Sequence, residues 1–221
     1  MSIKNILEAD SINLEFGGRP ILSDVYVKVE TNTITGFLGR NGSGKSCLMK
    51  VIFGTMAATY QSVRVNKEYL PKPFEVKGMI RYLPQHSFLP KHLKIKEISE
   101  FYNVSLAAIF EDFPFLEKIS EQKIYNLSGG EQRIFEVMLI LKSDVKFVIL
   151  DEPFSALMPL HTDRLKEIIS QEKSKKGIII TDHLYKHIMD LSDNLYLMRE
   201  GKSFIIKELE DLVRFGYLLQ I

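Results

Sequence analysis

The segment Gly39-Arg40-Asn41-Gly42-Ser43-Gly44-Lys45-Ser46 sets glycines, a lysine and a hydroxyl at spacings that suit a polyphosphate. Glycines let backbone N–H groups turn inward around phosphate oxygens, and a following helix adds its positive dipole end. The pattern fits a phosphate-binding loop without mismatch. Lys45 can reach the β- and γ-phosphates as a point charge, and the Ser46 hydroxyl can hold Mg²⁺. Cys47 comes next; it reads as a small side chain filling the first helical turn, at a place where a thiol can become redox-sensitive.

A nucleotide site also needs a carboxylate for the metal and a group that activates water. The run Phe147-Val148-Ile149-Leu150 ends in Asp151-Glu152, and Pro153 stops the strand. Acids at the carboxyl end of a buried strand stand where open α/β sheets bind ligands. Asp151 is the candidate Mg²⁺ partner, and Glu152 the candidate general base for the attacking water.

These groups need elements to hold them. Ser11–Phe16 alternates, placing Ile12, Leu14 and Phe16 on one face, and Gly17-Gly18 marks a turn. Ile21–Glu30 alternates Val25, Val27 and Val29 against polar neighbours. Ile34–Leu38 predicts a short strand feeding the glycine-rich loop, and Lys45–Phe53 a helix. Residues 55 to 85 are mixed, with prolines at 71, 73 and 84 as breakers. Residues 86 to 126 change character: Ile95–Phe110 has helical spacing, and the stretch reads as a small helical lobe. Glu131–Leu141 and His161–Lys173 predict helices, and Gly177–Thr181 a strand. Leu184–Leu191 follows as a short helix, Leu195–Met198 and Phe204–Ile206 as a hairpin, and Leu209 onward as helix. Lys173 to Lys176 reads as a solvated helix end. Strands alternating with helices behind a strand–loop–helix predict an α/β fold with a predominantly parallel sheet.

Leu127-Ser128-Gly129-Gly130-Glu131-Gln132-Arg133 supplies a second anion site. The Ser128 hydroxyl and the N–H groups of Gly129 and Gly130 precede a helix start near Glu131. This segment resembles the signature motif of the ATP-binding-cassette (ABC) ATPases, at that family's spacing before the Asp151-Glu152 pair. Phe16 resembles the aromatic that stacks on adenine, Gln85 in Tyr82-Leu83-Pro84-Gln85 the Q-loop glutamine, and His183 in Thr181-Asp182-His183 the switch histidine. The resemblance runs over roughly Ile12 to Lys207. It implies one ABC ATPase domain over 1–221: a P-loop NTPase core, an N-terminal antiparallel β subdomain and a short α-helical subdomain inserted at about 86–140.

The resemblance also implies chemistry. ATP lies against Phe16, the loop Gly39 to Ser46 and Cys47. Mg²⁺ sits between Ser46, Gln85 and Asp151, Glu152 positions water, Lys45 stabilises transferring charge, and His183 contacts the γ-phosphate. Ser128, Gly129, Gly130 and Glu131 meet the nucleotide of a second ABC ATPase subunit, in a head-to-tail dimer that drives an integral membrane transporter subunit. His86, His92, His161 and His187 have no such context and read as surface or packing residues.

The chain departs from the family pattern in places. The family's Ser-Ala-Leu-Asp is here Ser155-Ala156-Leu157-Met158, so a carboxylate that helps join the nucleotide sites is missing. The lobe after Gln85 is shorter than in many relatives, and Cys47 replaces the usual hydroxyl residue.

Composition bounds these readings. The 221 residues are 45% apolar and 26% charged, ordinary for a globular domain. Lys plus Arg is 29 and Asp plus Glu is 28, a net charge of +1. That balance gives no support to counterion-release binding of nucleic acid. A single cysteine cannot form an internal disulfide and suits a reducing compartment. Met1–Asp10 lacks the apolar core of a signal peptide, and no run suits a spanning helix. The expected place is therefore cytoplasmic, at the inner face of the cell membrane through a membrane subunit. A soluble single-cassette assembly or regulatory ATPase is the alternative, and a non-hydrolysing nucleotide-binding regulator a further one.

Overall fold

The computed structural model describes residues 4–219; the ends of the 1–221 span lie outside them. The apolar run at Ile34–Leu38 forms β3, buried at every position. Two further strands are buried throughout: β7 (Phe147–Asp151) and β8 (Gly177–Thr181). Strands without a wet face belong in a parallel sheet covered on both sides. Here β3 pairs in parallel with β8, β8 with β7, and β7 with β6 (Ile80–Leu83). On its other side β3 pairs in parallel with β9 (Asn194–Arg199), which returns antiparallel as β10 (Lys202–Ile206). The order is β10-β9-β3-β8-β7-β6. The turn between β9 and β10 places Glu200 and Gly201 at positive φ, the geometry of a tight hairpin.

A second sheet is wholly antiparallel, in the order β2-β1-β4-β5. It comprises β1 (Ile6–Phe16), β2 (Arg19–Glu30), β4 (Tyr60–Val65) and β5 (Glu68–Tyr69). The expected single face through Ile12, Leu14 and Phe16 does not hold. Ile12 and Leu14 are buried, but Phe16 is 52% exposed. Register shifts along β1 at Ala9/Ile12, Ile12/Leu14 and Leu14/Glu15 break the alternation and turn the last residue outward.

Strand alternation sorts the core into layers. Phe37, Phe147, Ile149 and Ile179 face α1 (Lys45–Phe53) and the antiparallel sheet, in a cluster with Val25, Val27, Leu48 and Val51. Leu38, Val148, Leu150 and Ile180 face the opposite way, toward α4 (Gly129–Leu141), α5 (Pro159–Glu172) and α6 (Tyr185–Leu191). The chain closes with α7 (Leu209–Arg214).

The stretch predicted as one helix over Ile95–Phe110 is two, α2 (Ile95–Tyr102) and α3 (Leu106–Asp112). Asn103 adopts φ 54° and its N–H bonds to Ser99 and Glu100 carbonyls, a left-handed cap that ends α2. The lysine cluster after α5 also differs from expectation. Lys176 is buried, and its ammonium donates to the Leu141 and Ser143 carbonyls at 2.7 Å, capping the end of α4. Lys173 pairs with Asp193 at 2.8 Å. Orphan carbonyls at a helix end need donors, and Lys176 supplies one to the end of α4.

Candidate functional site

The parallel strands deliver the chemical groups to one edge. The loop Gly39–Gly44 follows β3, Gln85 follows β6, Glu152 follows β7, and His183 follows β8. All lie at the strands' carboxyl ends, where helix N-termini and loops converge.

The loop's backbone is built on glycine. Gly39 is buried against β9, and a Cβ there would lie 2.6 Å from the Met198 carbonyl oxygen. Gly44 has φ 95° and turns the chain into α1. The first N–H groups of α1, from Lys45 to Cys47, have no intrahelical acceptor and stay available to an anion. A cavity of about 480 Å³ opens in front of them. Its walls are Phe16, Ile21, the loop from Asn41 through Ser46, Cys47, Gln85 and Glu152. Phe16, turned outward by the irregular end of β1, lines this cavity and is half-exposed.

Lys45 is buried, and its ammonium donates to the carbonyls of Gly39 at 2.6 Å and Arg40 at 3.3 Å. Burial lowers its pKa, while the charges of Asp151, Glu152 and Asp182 oppose that shift. The Arg40 side chain turns away from the cavity and donates to the Gly216 carbonyl at 3.4 Å. Cys47 is half-buried and packs on the core beneath α1, as a filler of the first turn should.

The acids differ in setting. Asp151 is buried, and both its oxygens are engaged: Thr181 Oγ1 donates to Oδ1 at 2.6 Å and the Tyr82 hydroxyl to Oδ2 at 3.0 Å. Burial, with Asp151 next to it, pushes the Tyr82 phenol above its ordinary pKa, so it remains a donor. Glu152 sits at φ 53°. A non-glycine residue there costs roughly 1–2 kcal/mol, a strain that persists only where the surroundings impose it. Its N–H is held by the Thr181 carbonyl at 2.9 Å. The Glu152 carboxylate accepts from Gln85 Nε2 at 3.1 Å, with His183 Nδ1 3.9 Å away. That Nδ1 is also 3.4 Å from Asp182, and His183 is 52% exposed. Asp182 is fully buried, and burial raises the pKa of its carboxyl.

The residues expected to hold Mg²⁺, Ser46, Gln85 and Asp151, offer oxygen donors. The Gln85 amide nitrogen is committed to Glu152, leaving its oxygen for a metal, and hydroxyl, amide oxygen and carboxylate are all hard donors. That set suits Mg²⁺, a hard cation that takes oxygen ligands.

The segment expected to be a second anion site stands at the start of α4. Ser128 is the N-cap of α4: its Oγ accepts the Glu131 N–H at 3.3 Å, and the Glu131 carboxylate accepts the Ser128 N–H at 2.8 Å. Glu131 therefore shapes the helix start. A Cβ on Gly129 would meet nothing within 4 Å. None of these residues lines the cavity at the phosphate loop. The Ser128 segment and the phosphate loop therefore stand apart on one chain.

Sequence reading passed over Arg133, Tyr82 and Thr181 as site groups. Arg133 carried a signal, a lone cation at the head of the apolar run Ile134-Phe135. Tyr82 and Thr181 carried none, because their hydroxyls meet Asp151 only through sheet pairing. His161 and His187 pack against Phe115 and Phe154, in line with the structural reading.

Comparison with known proteins gives the family and the fold. The family model described as ABC transporter matches residues 22–155. The chain is 29% identical over 220 residues to the lipopolysaccharide export system ATP-binding protein LptB of Haemophilus influenzae, covering 90% of this chain and 88% of that protein. It is 27% identical over 224 residues to the uncharacterized ABC transporter ATP-binding protein YhaQ of Bacillus subtilis, covering 96% and 74%. A solved structure of an ATP-binding subunit of an ABC transporter superposes with a TM-score of 0.83 at 24% identity, covering 96% of this chain and 93% of that one.

Proposed function

The chain belongs to the ABC transporter family, and on that premise we propose that it is the ATP-hydrolysing subunit that drives a separate membrane subunit by ATP-dependent closure of a dimer. Its class of reaction is ATP hydrolysis. The observation that carries the coupling is the separation of two anion sites on one chain. The phosphate loop cavity lacks any contribution from Ser128–Gly130, and the open space over Gly129 leaves its backbone approachable. A second copy, or a related subunit, brings its Ser128 segment to the nucleotide held by the loop.

In this reading Phe16 stacks on adenine. The amides from Asn41 to Cys47 and the Lys45 ammonium hold the phosphates where charge develops during transfer. Ser46, Gln85 and Asp151 hold Mg²⁺, which when bound neutralises β- and γ-phosphate charge. Glu152 takes the proton of the attacking water, and His183 beside it meets the γ-phosphate. Loss of that phosphate removes the charge bridging the two chains, and the dimer reopens. Among the described residues no helix is long and apolar enough to cross a membrane. In this reading a separate membrane subunit supplies the spanning segments and holds this chain at the inner face of the cell membrane.

Glu152→Gln tests the reading. It removes the base and keeps the size, so turnover should fall by about 10²–10⁴-fold while ATP binding persists. Sedimentation of this variant should show a dimer with Mg-ATP and a monomer without it. A single species in both conditions contradicts closure.

A further inference from the structure

We infer that Arg133 is a positioning residue through which the signature helix α4 sets the geometry of Gln85 and Glu152, coupling the two nucleotide sites that meet on each chain. The inference rests on the dimer reading above. Arg133 is only 5% exposed. One terminal nitrogen donates to the Pro84 carbonyl at 2.9 Å, the residue before Gln85. The other donates to the carbonyls of Asp151 and Glu152, each at 2.7 Å. A single planar fork thus ties the peptide entering the Gln85 loop to the left-handed turn that aims Glu152.

The guanidinium is in turn fixed from α4. Glu136, one turn on, approaches it at 3.4 Å. Glu136 also accepts from Ser87 at 2.6 Å and from Gln132 at 3.1 Å, and Gln132 donates to Ser87. The network joins α4 to the Gln85 loop along both of its sides. Its N-terminal end is the Ser128 cap that faces the partner's nucleotide. A shift of α4 when that end is engaged moves the carbonyls that hold this chain's own Gln85 and Glu152.

Stability alone does not account for a cation here. Burial depresses the Arg133 pKa against the pull of Glu136, and buried charges are often replaceable by apolar side chains of similar volume without loss. What an apolar side chain cannot do is hold carbonyls from separate strands in one plane. Lysine cannot either, since it is a point charge without the fork. Met158 stands where the family pattern has a site-joining carboxylate, and the Arg133 network offers a connected route through α4.

The test is Arg133→Lys in the full chain, alone and combined with Ser128→Ala. It is read by steady-state ATP hydrolysis and by equilibrium binding of a fluorescent ATP analogue. We expect kcat lowered about 10- to 100-fold, as for displaced catalytic groups. KM and analogue affinity should stay within about twofold. The double variant should lose less than the product of the single losses. An unchanged kcat, a parallel loss of nucleotide affinity, or fully multiplicative losses overturn the inference. Where Arg133→Lys lacks a cooperative thermal transition, Arg133→Met is read in its place. Ser128→Ala alone separates the two layers. If it leaves hydrolysis untouched, the dimer reading fails. If it is damaging while Arg133→Lys is silent, only the present inference fails.

Discussion

Asp151 illustrates how much of the site depends on groups outside its motif. Thr181 and Tyr82 pin its two oxygens from neighbouring strands on either side. Tyr82→Phe removes one of those bonds and keeps the ring packing against Phe53. Outer partners of metal ligands are typically worth 10–100-fold in metal affinity, so the Mg²⁺ concentration at half-maximal hydrolysis should rise by about tenfold. Mn²⁺ binding followed by electron paramagnetic resonance should weaken in parallel. Unchanged values would remove Tyr82 from the account. At this scale, Lys45, Asp151, Glu152 and the loop glycines were legible because their spacing is local. Tyr82 and Thr181 were not, because a strand register brings them to Asp151. Arg133 lies inside a motif read for its glycines, and its one signal, a cation heading an apolar stretch, does not specify the backbone carbonyls it reaches.

Among the elements, α5 shows what the departure at Met158 does locally. Met158 is the N-cap of α5, with extended backbone and Pro159 at the first helical position, but no side-chain cap. It is 62% exposed. Met158→Asp puts a capping carboxylate at a helix N-terminus and should stabilise the fold by about 1 kcal/mol in thermal or denaturant unfolding. The same variant should raise cooperativity in ATP by restoring a carboxylate between the sites. Added stability with an unchanged ATP dependence would confine Met158 to a capping role. Elements with a strong local pattern were readable end to end: β3, α1 and β8 run over the predicted residues. The misses have physical causes. Asn103 splits one helical run by taking a left-handed turn that its neighbours did not announce. β4 and β6 lie in a proline-rich stretch, and pairing partners far along the chain make them strands.

Across the whole molecule, a charge network centred on the buried Glu172 ties the helical lobe to the nucleotide core. Asp112 at the end of α3 meets Lys142 and Arg164, each at 2.9 Å. Lys142 continues to Glu172 at 3.0 Å, and Lys175 meets the same carboxylate at 2.9 Å. Burial alone would raise the Glu172 pKa, but hydrogen bonds from Lys175 and Lys142 outweigh it and hold the carboxyl below its ordinary value. A depressed carboxylate pKa stabilises the fold above the unfolded-state value and loses that contribution as pH falls through the folded-state value. Glu172→Gln should therefore cost about 2 kcal/mol at pH 7, and the gap should close below about pH 4. A gap that persists in acid would mean that packing, and not charge, is what the substitution removed. The α/β class and the division into two sheets and a lobe followed from alternation and from the resemblance. The network itself was hidden, since Lys173–Lys176 reads as solvated until the end of α4 is seen to need donors.

The proposed function is the conversion of ATP hydrolysis into work on a membrane subunit. Its most direct test is purification from the native membrane fraction in detergent, with identification of what accompanies the chain. The account expects a multi-spanning membrane protein in stoichiometric amount, eluting together with the chain as one complex. Recovery only from the soluble fraction, alone or with soluble partners, contradicts it and transfers the site to an ATPase not coupled to transport.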